Sequence, residues 1–150
     1  MQDIIVITAG EGQSVAIGPT RTTFLTRSQQ TEGRYSLVEH AFPPQFSGPP
    51  PHIHRHYDHA WYVLEGEVQI TCGDRIVEAK AGTFVFVPKG IAHTFSNPGA
   101  VQARMLEIDA PGGFEPYFEE LATAIPQGAS VNPSVVVAIQ RKYDTYPPDL

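Results

Sequence analysis

Short runs of β-forming residues, separated by turn-forming residues, recur along most of this chain and limit how it can fold. Fourteen prolines and thirteen glycines are spread over 150 residues, and Gly, Pro or Asn stands at the ends of the runs. Runs of this kind, rich in Val, Ile, Thr and aromatic residues, are typical of antiparallel β-sandwiches and barrels. In chain order they are QSVAIG, TRTTFLTR, RYSLVEHAF, HAWYVLEGEVQITCG, DRIVEA, GTFVFVP, AHTFSN and VQARMLEID. The sequence therefore predicts an all-β domain, with HAWYVLEGEVQITCG folded as a hairpin that turns at Glu65-Gly66.

The last forty residues have a different pattern, which favours helices. GGFEPYFEELATA places Phe114, Phe118 and Leu121 at helical spacing, so one face is apolar. In the later stretch NPSVVVAIQRKYDTYPP, the opening Asn132-Pro133 fits an N-cap followed by the first helical position. The three valines that follow favour a strand instead, and both interpretations remain open.

We predict one domain over residues 1–150, because no internal repeat or low-complexity linker divides the chain. A β-barrel takes up residues from about 12 to 110, and a short helical C-terminal segment takes up residues from about 111 to 150.

Composition excludes several classes of function. The formal net charge is −6 and no basic patch is visible, so we expect no nucleic-acid partner. No apolar window is long enough to span a membrane, and the N-terminus has no positively charged region of the kind that begins a signal peptide. Cys72 is the single cysteine, which suits a reducing compartment. These features predict a soluble, cytoplasmic protein with no membrane partner.

Four of the six histidines lie in the stretch PPPHIHRHYDHAWYVLEG. His52 and His54 are two residues apart, so on a strand they share one face and can converge on one ion. Two histidines do not complete a metal site, and the nearest candidates to complete it are His59, beyond a predicted bend, and the more distant His93. Imidazole clusters of this kind are typical metal ligands.

Residues 48–66 and 82–97 resemble the two motifs of the cupin superfamily. The second motif is complete, and the first matches in both histidines of the HIH pair and in its final glycine. ARMLEIDAPGGFEPYFEEL is similar to the C-terminal segment of small bacterial cupins grouped with quercetin-dioxygenase-like proteins. The resemblance extends over roughly residues 34–125 and implies a jelly-roll (double-stranded β-helix) barrel. The matching positions are Gly82, Pro88, Gly90, His93 and Asn97 in the second motif, and His52, His54 and Gly66 in the first.

The resemblance also implies one divalent metal ion, held by His52, His54, His59 and His93. His59 stands where cupins usually have a glutamate, so three histidines completed by water remain the alternative to four. Four neutral imidazoles leave a site charge of about +2, against about +1 with a glutamate. An all-nitrogen site suits Fe, Ni, Cu or Zn better than Mn²⁺, and it lacks the carboxylate base that the glutamate would provide.

Several side chains are candidates for an apolar pocket beside the metal. Trp61 and Phe95 are each two residues from a proposed ligand and are expected on its face, where they could line an apolar substrate pocket with Phe86 and Met105. Filling the barrel core is an equal alternative for each of these four side chains. We expect His56 to be a bystander near the bend and His40 to be a structural or surface residue. Cys72 is expected to be a small apolar residue rather than a nucleophile.

The resemblance implies a metal-dependent, dioxygenase-like enzyme acting on a small anionic or enolisable substrate. Two alternatives remain open, a metal-dependent binding or sensing domain without turnover and a non-redox isomerase or hydrolase. No catalytic residue is assigned beyond the metal ligands. The resemblance also implies a homodimer.

Overall fold

The computed structural model describes residues 3–128 and 130–148. Within these residues nine β-strands come first, interrupted by one 3-10 turn at Ser28–Thr31, and two α-helices follow. The helices are α1 (Pro116–Ala124) and α2 (Pro133–Lys142). The strands are β1 (Ser14–Ile17), β2 (Thr20–Thr26), β3 (Ser36–Phe42), β4 (Asp58–Glu65), β5 (Glu67–Cys72), β6 (Arg75–Lys80), β7 (Phe84–Val87), β8 (His93–Ser96) and β9 (Ala103–Ala110). Each run predicted from the sequence contains a strand, so the all-β fold with helices near the C-terminus is confirmed.

The strands form two sheets with a shared core. One sheet has six strands in the order β1-β2-β3-β9-β4-β7, and the other has three in the order β6-β5-β8. All recorded pairings are antiparallel, and the strands paired with β9 are distant from it in sequence. Alternate residues point inward, so Trp61, Val63 and Met105 of the larger sheet pack with Val68 and Ile70 of the smaller. Burial of these side chains supplies the main hydrophobic stabilisation of the fold.

The predicted hairpin at Glu65-Gly66 is wrong. β4 pairs with β7 and β9, whereas β5 pairs with β6 and β8, so the turn carries the chain from one sheet to the other. Gly66 has a φ of +70°, and a Cβ there would stand 2.5 Å from the carbonyl oxygen of Gln102. A glycine is therefore required at this crossing, although the sequence signal for it is the same as for a hairpin.

Residues 133–142 form a helix rather than a strand. The side chain of Asn132 accepts a hydrogen bond from the backbone N–H of Ser134 at 3.0 Å, and Pro133 occupies the first turn. Val136, Ile139 and Tyr143 lie at helical spacing and pack against a second core. The helical period thus outweighs the β-preference of the valines. This second core consists of Phe24, Val38, Phe114, Tyr117, Phe118 and Leu121.

Neither helix described by the structure is long and apolar enough to cross a membrane.

Candidate metal centre and pocket

His52 and His93 face each other across a short antiparallel bridge. The backbone N–H of His52 donates to the carbonyl of His93 at 3.0 Å, and the reverse bond measures 2.9 Å. Directly opposed residues carry their side chains on the same face, and the two ring centroids are 4.5 Å apart. His54 follows two residues after His52 and adds a third ring. One ring nitrogen from each of the three lies within 4.8 Å of the others.

His59 reaches the same cluster from strand β4. Its ring centroid lies 4.2 Å from that of His54 and 5.7 Å from that of His93. Its side chain is buried, and it also belongs to a second group of close ligand atoms with Glu107 and Asp109. The four histidines predicted from the sequence are therefore neighbours, with His59 at the edge of a tighter group of three.

Three of the four imidazoles are held through Nδ1 by backbone carbonyls. The partners are the carbonyl of Pro50 for His52 at 2.8 Å and that of Ile91 for His93 at 2.8 Å. For His54 the partner is the carbonyl of Asp144, at 3.1 Å. Because a carbonyl can only accept, Nδ1 carries the proton in each ring and Nε2 keeps its lone pair.

The Nε2 atoms that make no hydrogen bond are suited to bind a metal ion. Nε2 of His93 and Nε2 of His59 are buried and have no hydrogen-bond partner. A buried lone pair without a partner is costly, and a cation coordinated by these atoms removes that cost. Imidazole nitrogens with Nδ1 fixed by an outer hydrogen bond are suitable ligands for a divalent transition metal.

Burial keeps the group of three uncharged. Removal from water, together with the charges of the neighbouring imidazoles, lowers the pKa of His54 to about 2. Burial likewise lowers the pKa of His93 to about 3 and lowers that of His52. Their lone pairs are therefore not blocked by protons near neutral pH.

His59 has a different environment because two carboxylates face it. Its Nδ1 forms an ion pair with Asp109 and lies 3.6 Å from Oε1 of Glu107. Burial opposes a charge on His59, but the two acids outweigh it and raise its pKa to about 10. Burial and the charge of Glu107 raise the pKa of Asp109 above its ordinary value, while the facing charge of His59 opposes that rise. A carboxylate on Nδ1 orients the ring with Nε2 toward the other histidines, where a metal ion can replace the proton.

Glu107 joins this site to a row of polar side chains along the sheet. It accepts a hydrogen bond from Nε1 of Trp61 at 2.7 Å, and Nε2 of His40 lies 3.3 Å away. Nδ1 of His40 lies 2.9 Å from Oγ1 of Thr22. Burial disfavours the charge on Glu107, yet His40 and His59 hold the pKa of Glu107 well below its usual range. His40 is thus a buried structural residue rather than a surface one.

Strand register explains these contacts. Asp109 is opposite His59, Glu107 is opposite Trp61, and Thr22 is opposite His40. Sequence reasoning missed both acids. The available signal was their parity, because Met105, Glu107 and Asp109 alternate with outward residues in ARMLEIDA and so share the inward face.

An apolar cavity of about 280 Å³ adjoins the histidine cluster. Trp61 and Phe95 line it, and they also pack in or against the core between the sheets, so both interpretations of these two side chains apply. Phe114 lies between the histidine cluster and helix α1. The Phe114 ring centroid is 5.1 Å from those of both His54 and His59. Further walls come from Phe42, Phe46, Tyr117, Phe118, Leu121 and Val136.

Two of the predicted pocket residues lie elsewhere. Phe86 is 54% exposed on the outer face of the larger sheet, because it pairs with the outward-facing Ala60. Met105 is fully buried between the sheets and belongs to the core rather than the cavity wall. The prediction is therefore wrong for Phe86, and for Met105 the core alternative applies.

Two more residues have the environments expected of bystanders. His56 is exposed, and its backbone N–H donates to the side chain of Asp144. Cys72 is a half-buried free thiol, and burial raises its pKa.

Comparison with known proteins identifies the family of the central part of the chain. A family model described as a cupin domain matches residues 38–109, which include all four histidines of the cluster. These residues form a cupin domain. The match begins in β3 and ends in β9, so both helices lie outside it.

Quercetin 2,3-dioxygenase of Bacillus subtilis is 24% identical to this chain over 116 residues. The aligned part is 77% of this chain but only 34% of that enzyme, so this chain spans about a third of the relative's length. Mannose-1-phosphate guanylyltransferase 2 of Escherichia coli O157:H7 is 29% identical over 58 residues, which are 39% of this chain and 12% of that enzyme.

Solved structures share the cupin fold at low sequence identity. A predicted oxalate decarboxylase from Thermotoga maritima superposes with a TM-score of 0.66 at 20% identity, over 71% of this chain and 99% of that one. The polyketide cyclase RemF from Streptomyces resistomycificus superposes with a TM-score of 0.63 at 24% identity, over 72% and 80% of the two chains. These likenesses establish the fold and leave the reaction to be argued from the site.

Proposed function

We propose that this cupin is a metal-dependent, dioxygenase-like enzyme that acts on a small aromatic or enolisable substrate. The observation that carries the proposal is a cluster of four imidazoles, each held through Nδ1, at the wall of an apolar cavity. His52, His54, His59 and His93 would hold the ion. The partial identity to a quercetin 2,3-dioxygenase supports the same reaction class.

The bound ion would supply a Lewis acid, and a redox centre if it is iron, nickel or copper. A site of neutral imidazoles favours binding of an anionic oxygen, such as an enolate or phenolate. The carboxylates of Glu107 and Asp109 lie behind His59 and moderate that positive charge. The chain thus has acidic groups beside the ligands, although the usual glutamate is replaced.

The cavity determines which substrates suit the site. Its volume of about 280 Å³ is small for a ligand pocket. Its walls are mainly aromatic, so a flat apolar ring can stack against Phe42, Phe95 or Phe118. Glu107 also lines the cavity and can accept a hydrogen bond from a substrate hydroxyl.

The test is metal analysis of natively purified protein, followed by oxygen-uptake measurements with the flavonol quercetin and the diketone acetylacetone. We expect stoichiometric iron, nickel or copper and oxygen consumption with at least one substrate. His93→Ala should lose both metal and turnover, while the exposed control His56→Ala should keep both.

The alternatives give different results. Stoichiometric zinc without oxygen uptake would overturn the dioxygenase proposal and favour a non-redox enzyme. Metal with ligand binding but no turnover of any kind would favour a binding or sensing domain. Protein without metal, which also takes up none on titration, would overturn the metal site itself.

A further inference from the structure

The chain that follows helix α2 packs directly on the segment carrying His52 and His54. We call residues 143–146 the C-terminal strap. Ile53 and Tyr146 exchange backbone hydrogen bonds of 2.8 and 3.1 Å, which makes a short antiparallel bridge. The guanidinium of Arg55 lies 4.1 Å from the centre of the Tyr146 ring. The strap thus pairs with the segment that carries His52 and His54, as a short neighbouring strand would.

Asp144 makes three hydrogen bonds to the ligand segment. Its backbone carbonyl accepts from Nδ1 of His54 at 3.1 Å. Its side-chain Oδ2 accepts from the backbone N–H groups of Arg55 at 2.9 Å and His56 at 2.7 Å. Asp144 is 8% exposed and has a φ of +54°, in the left-handed region. Asp144 therefore contacts both the ring of His54 and the turn after it, and Oγ1 of the neighbouring Thr145 lies 3.4 Å from the same Nδ1.

His54 differs in this respect from the other two carbonyl-anchored histidines. The carbonyls that hold His52 and His93 come from residues two positions earlier in their own segments. The carbonyl that holds His54 comes from a residue ninety positions later. It also lies outside the matched cupin domain, which ends at residue 109. A ligand inside the domain thus depends for its orientation on a segment beyond it.

We propose that Asp144 is a positioning residue that orients His54 toward the metal ion. The carboxylate acts through the turn, because it binds the two N–H groups that follow His54, and the carbonyl acts on the ring itself. Outer hydrogen bonds of this kind set the direction of the ligand lone pair and the affinity for the ion. The inference rests on the proposed metal site.

The same strap continues a helix that forms part of the cavity wall. Val136 and Gln140 of α2 line the cavity, and α2 leads straight into Asp144. The position of α2 and the orientation of His54 are therefore set by one continuous stretch of chain.

The test compares two substitutions of Asp144, one that removes the side-chain hydrogen-bond acceptor and one that keeps it. Asp144→Gly removes the carboxylate and suits the left-handed backbone, so it adds no strain. Asp144→Asn keeps a carbonyl oxygen that can accept from the two N–H groups, and asparagine also tolerates the left-handed region. Lys142→Ala is the matched control, because it removes the surface ion pair between α2 and Glu120 without touching the His54 turn.

The readout is the affinity for Co²⁺ or Zn²⁺, measured by competition with a chelator on protein shown to be folded by circular dichroism. We expect D144G to bind the metal about 10- to 100-fold more weakly than the wild type, as for loss of other outer partners. D144N and K142A should bind with nearly wild-type affinity. The visible absorption bands of the Co²⁺-loaded protein should shift in D144G only, which a general loss of stability would not produce.

Wild-type affinity in a folded D144G protein would overturn the positioning role while leaving the proposed metal site intact. Equal weakening of metal binding in D144G and D144N would show that hydrogen-bond acceptance by the side chain is not the basis of the role of Asp144. Wild-type protein that binds no metal would overturn the proposed function and this inference together. If D144G does not fold, Asp144→Ser provides the same comparison, because its shorter side chain cannot serve both N–H groups, and its affinity should still fall below that of D144N.

Discussion

His59 differs from the other three histidines because carboxylates, not a backbone carbonyl, face its Nδ1. Asp109 and Glu107 favour a proton on this ring, whereas burial keeps His54 and His93 neutral. A metal ion bound at the cluster would have to displace that proton and would take over its role of balancing the buried acids. His59 stands where cupins usually have a glutamate, and the carboxylates that face His59 supply negative charge in place of that glutamate.

Replacing His59 tests whether this ring is a ligand. We expect His59→Ala to weaken metal binding at least 10-fold, because it removes a nitrogen ligand together with its link to Asp109. The measurement is metal content after dialysis, followed by a chelator competition titration. His56→Ala is the matched control, since His56 is an exposed imidazole in the same segment. Unchanged affinity in His59→Ala would leave a three-histidine site completed by water.

Gly48 lines the cavity at a point where the neighbouring backbone leaves no room for a side chain. Its φ is +77°, and a Cβ there would stand 1.7 Å from the carbonyl oxygen of Phe95. We expect Gly48→Ala to destabilise the fold by more than about 3 kcal/mol, because backbone must move and the left-handed conformation adds strain. Gly82→Ala is the control, since Gly82 also has a positive φ but a Cβ there would have no atom within 4 Å.

Urea unfolding of the two glycine variants separates the cost of left-handed backbone strain from the cost of the steric clash with Phe95. Gly82→Ala should cost only about 1–2 kcal/mol, the usual penalty for an alanine in the left-handed region. Equal losses in the two variants would show that the chain near Phe95 can relax around an added methyl group.

At the scale of elements, the positions of the strands could be predicted from the sequence and their pairing could not. Runs of β-forming residues identify each strand, and period-two alternation places Trp61 and Phe95 on the cavity side. It does not reveal which sheet a strand joins, so β4 and β5 resemble a hairpin although they belong to different sheets. It also leaves the facing of Phe86 undetermined, because that facing depends on the register of β7 against β4.

The acidic partners of the site were missed for the same physical reason. Glu107 and Asp109 reach Trp61 and His59 across a pair of strands separated by more than forty residues of chain. Asp144 reaches His54 from farther still. Local patterns predict which residues share a face within one segment, whereas these contacts arise only from the packing of distant segments.

Helix α1 is tied to the 3-10 turn by one buried acid. Glu115, the residue before α1, accepts hydrogen bonds from the backbone N–H of Ser28 at 2.7 Å and from its hydroxyl at 2.6 Å. Burial disfavours the charge on Glu115, but these bonds hold its pKa below the usual value. We expect Glu115→Gln to lower the free energy of unfolding at neutral pH by about 1–2 kcal/mol, because bonds to a charged acceptor are lost.

The pH dependence gives the second part of that prediction. A lowered carboxyl pKa adds stability above the unfolded-state pKa, and this contribution disappears as pH falls through the lower folded-state value. The difference between wild type and Glu115→Gln should therefore be full above about pH 4.5 and shrink at lower pH. Glu119→Gln is the control, because its ion pair with Arg27 is partly exposed and should contribute under about 1 kcal/mol. A pH-independent difference would contradict the role of the Glu115 charge.

At the scale of the whole molecule, one outer face of the larger sheet carries an unusual set of exposed apolar side chains. Tyr62 and Phe84 are paired across β4 and β7, and Phe86 and Ile108 flank Ala60 on the same face. The exposed fractions of these four range from 41% for Ile108 to 60% for Phe84. β7 is also an edge strand, with open hydrogen-bonding groups along one side. A face with these properties suits a two-fold contact with a second copy.

We therefore expect the chain to form a homodimer through this face. Phe84→Lys combined with Phe86→Lys should convert the dimer to a monomer, because two charges on each copy would meet in an apolar, self-complementary contact. The mass in solution, measured by light scattering after size-exclusion chromatography, is the readout. Ile76→Lys is the matched control, since Ile76 is 68% exposed but lies on β6 of the smaller sheet. A monomeric wild type would exclude this assembly, and a dimer that persists in the double variant would place the interface on another face.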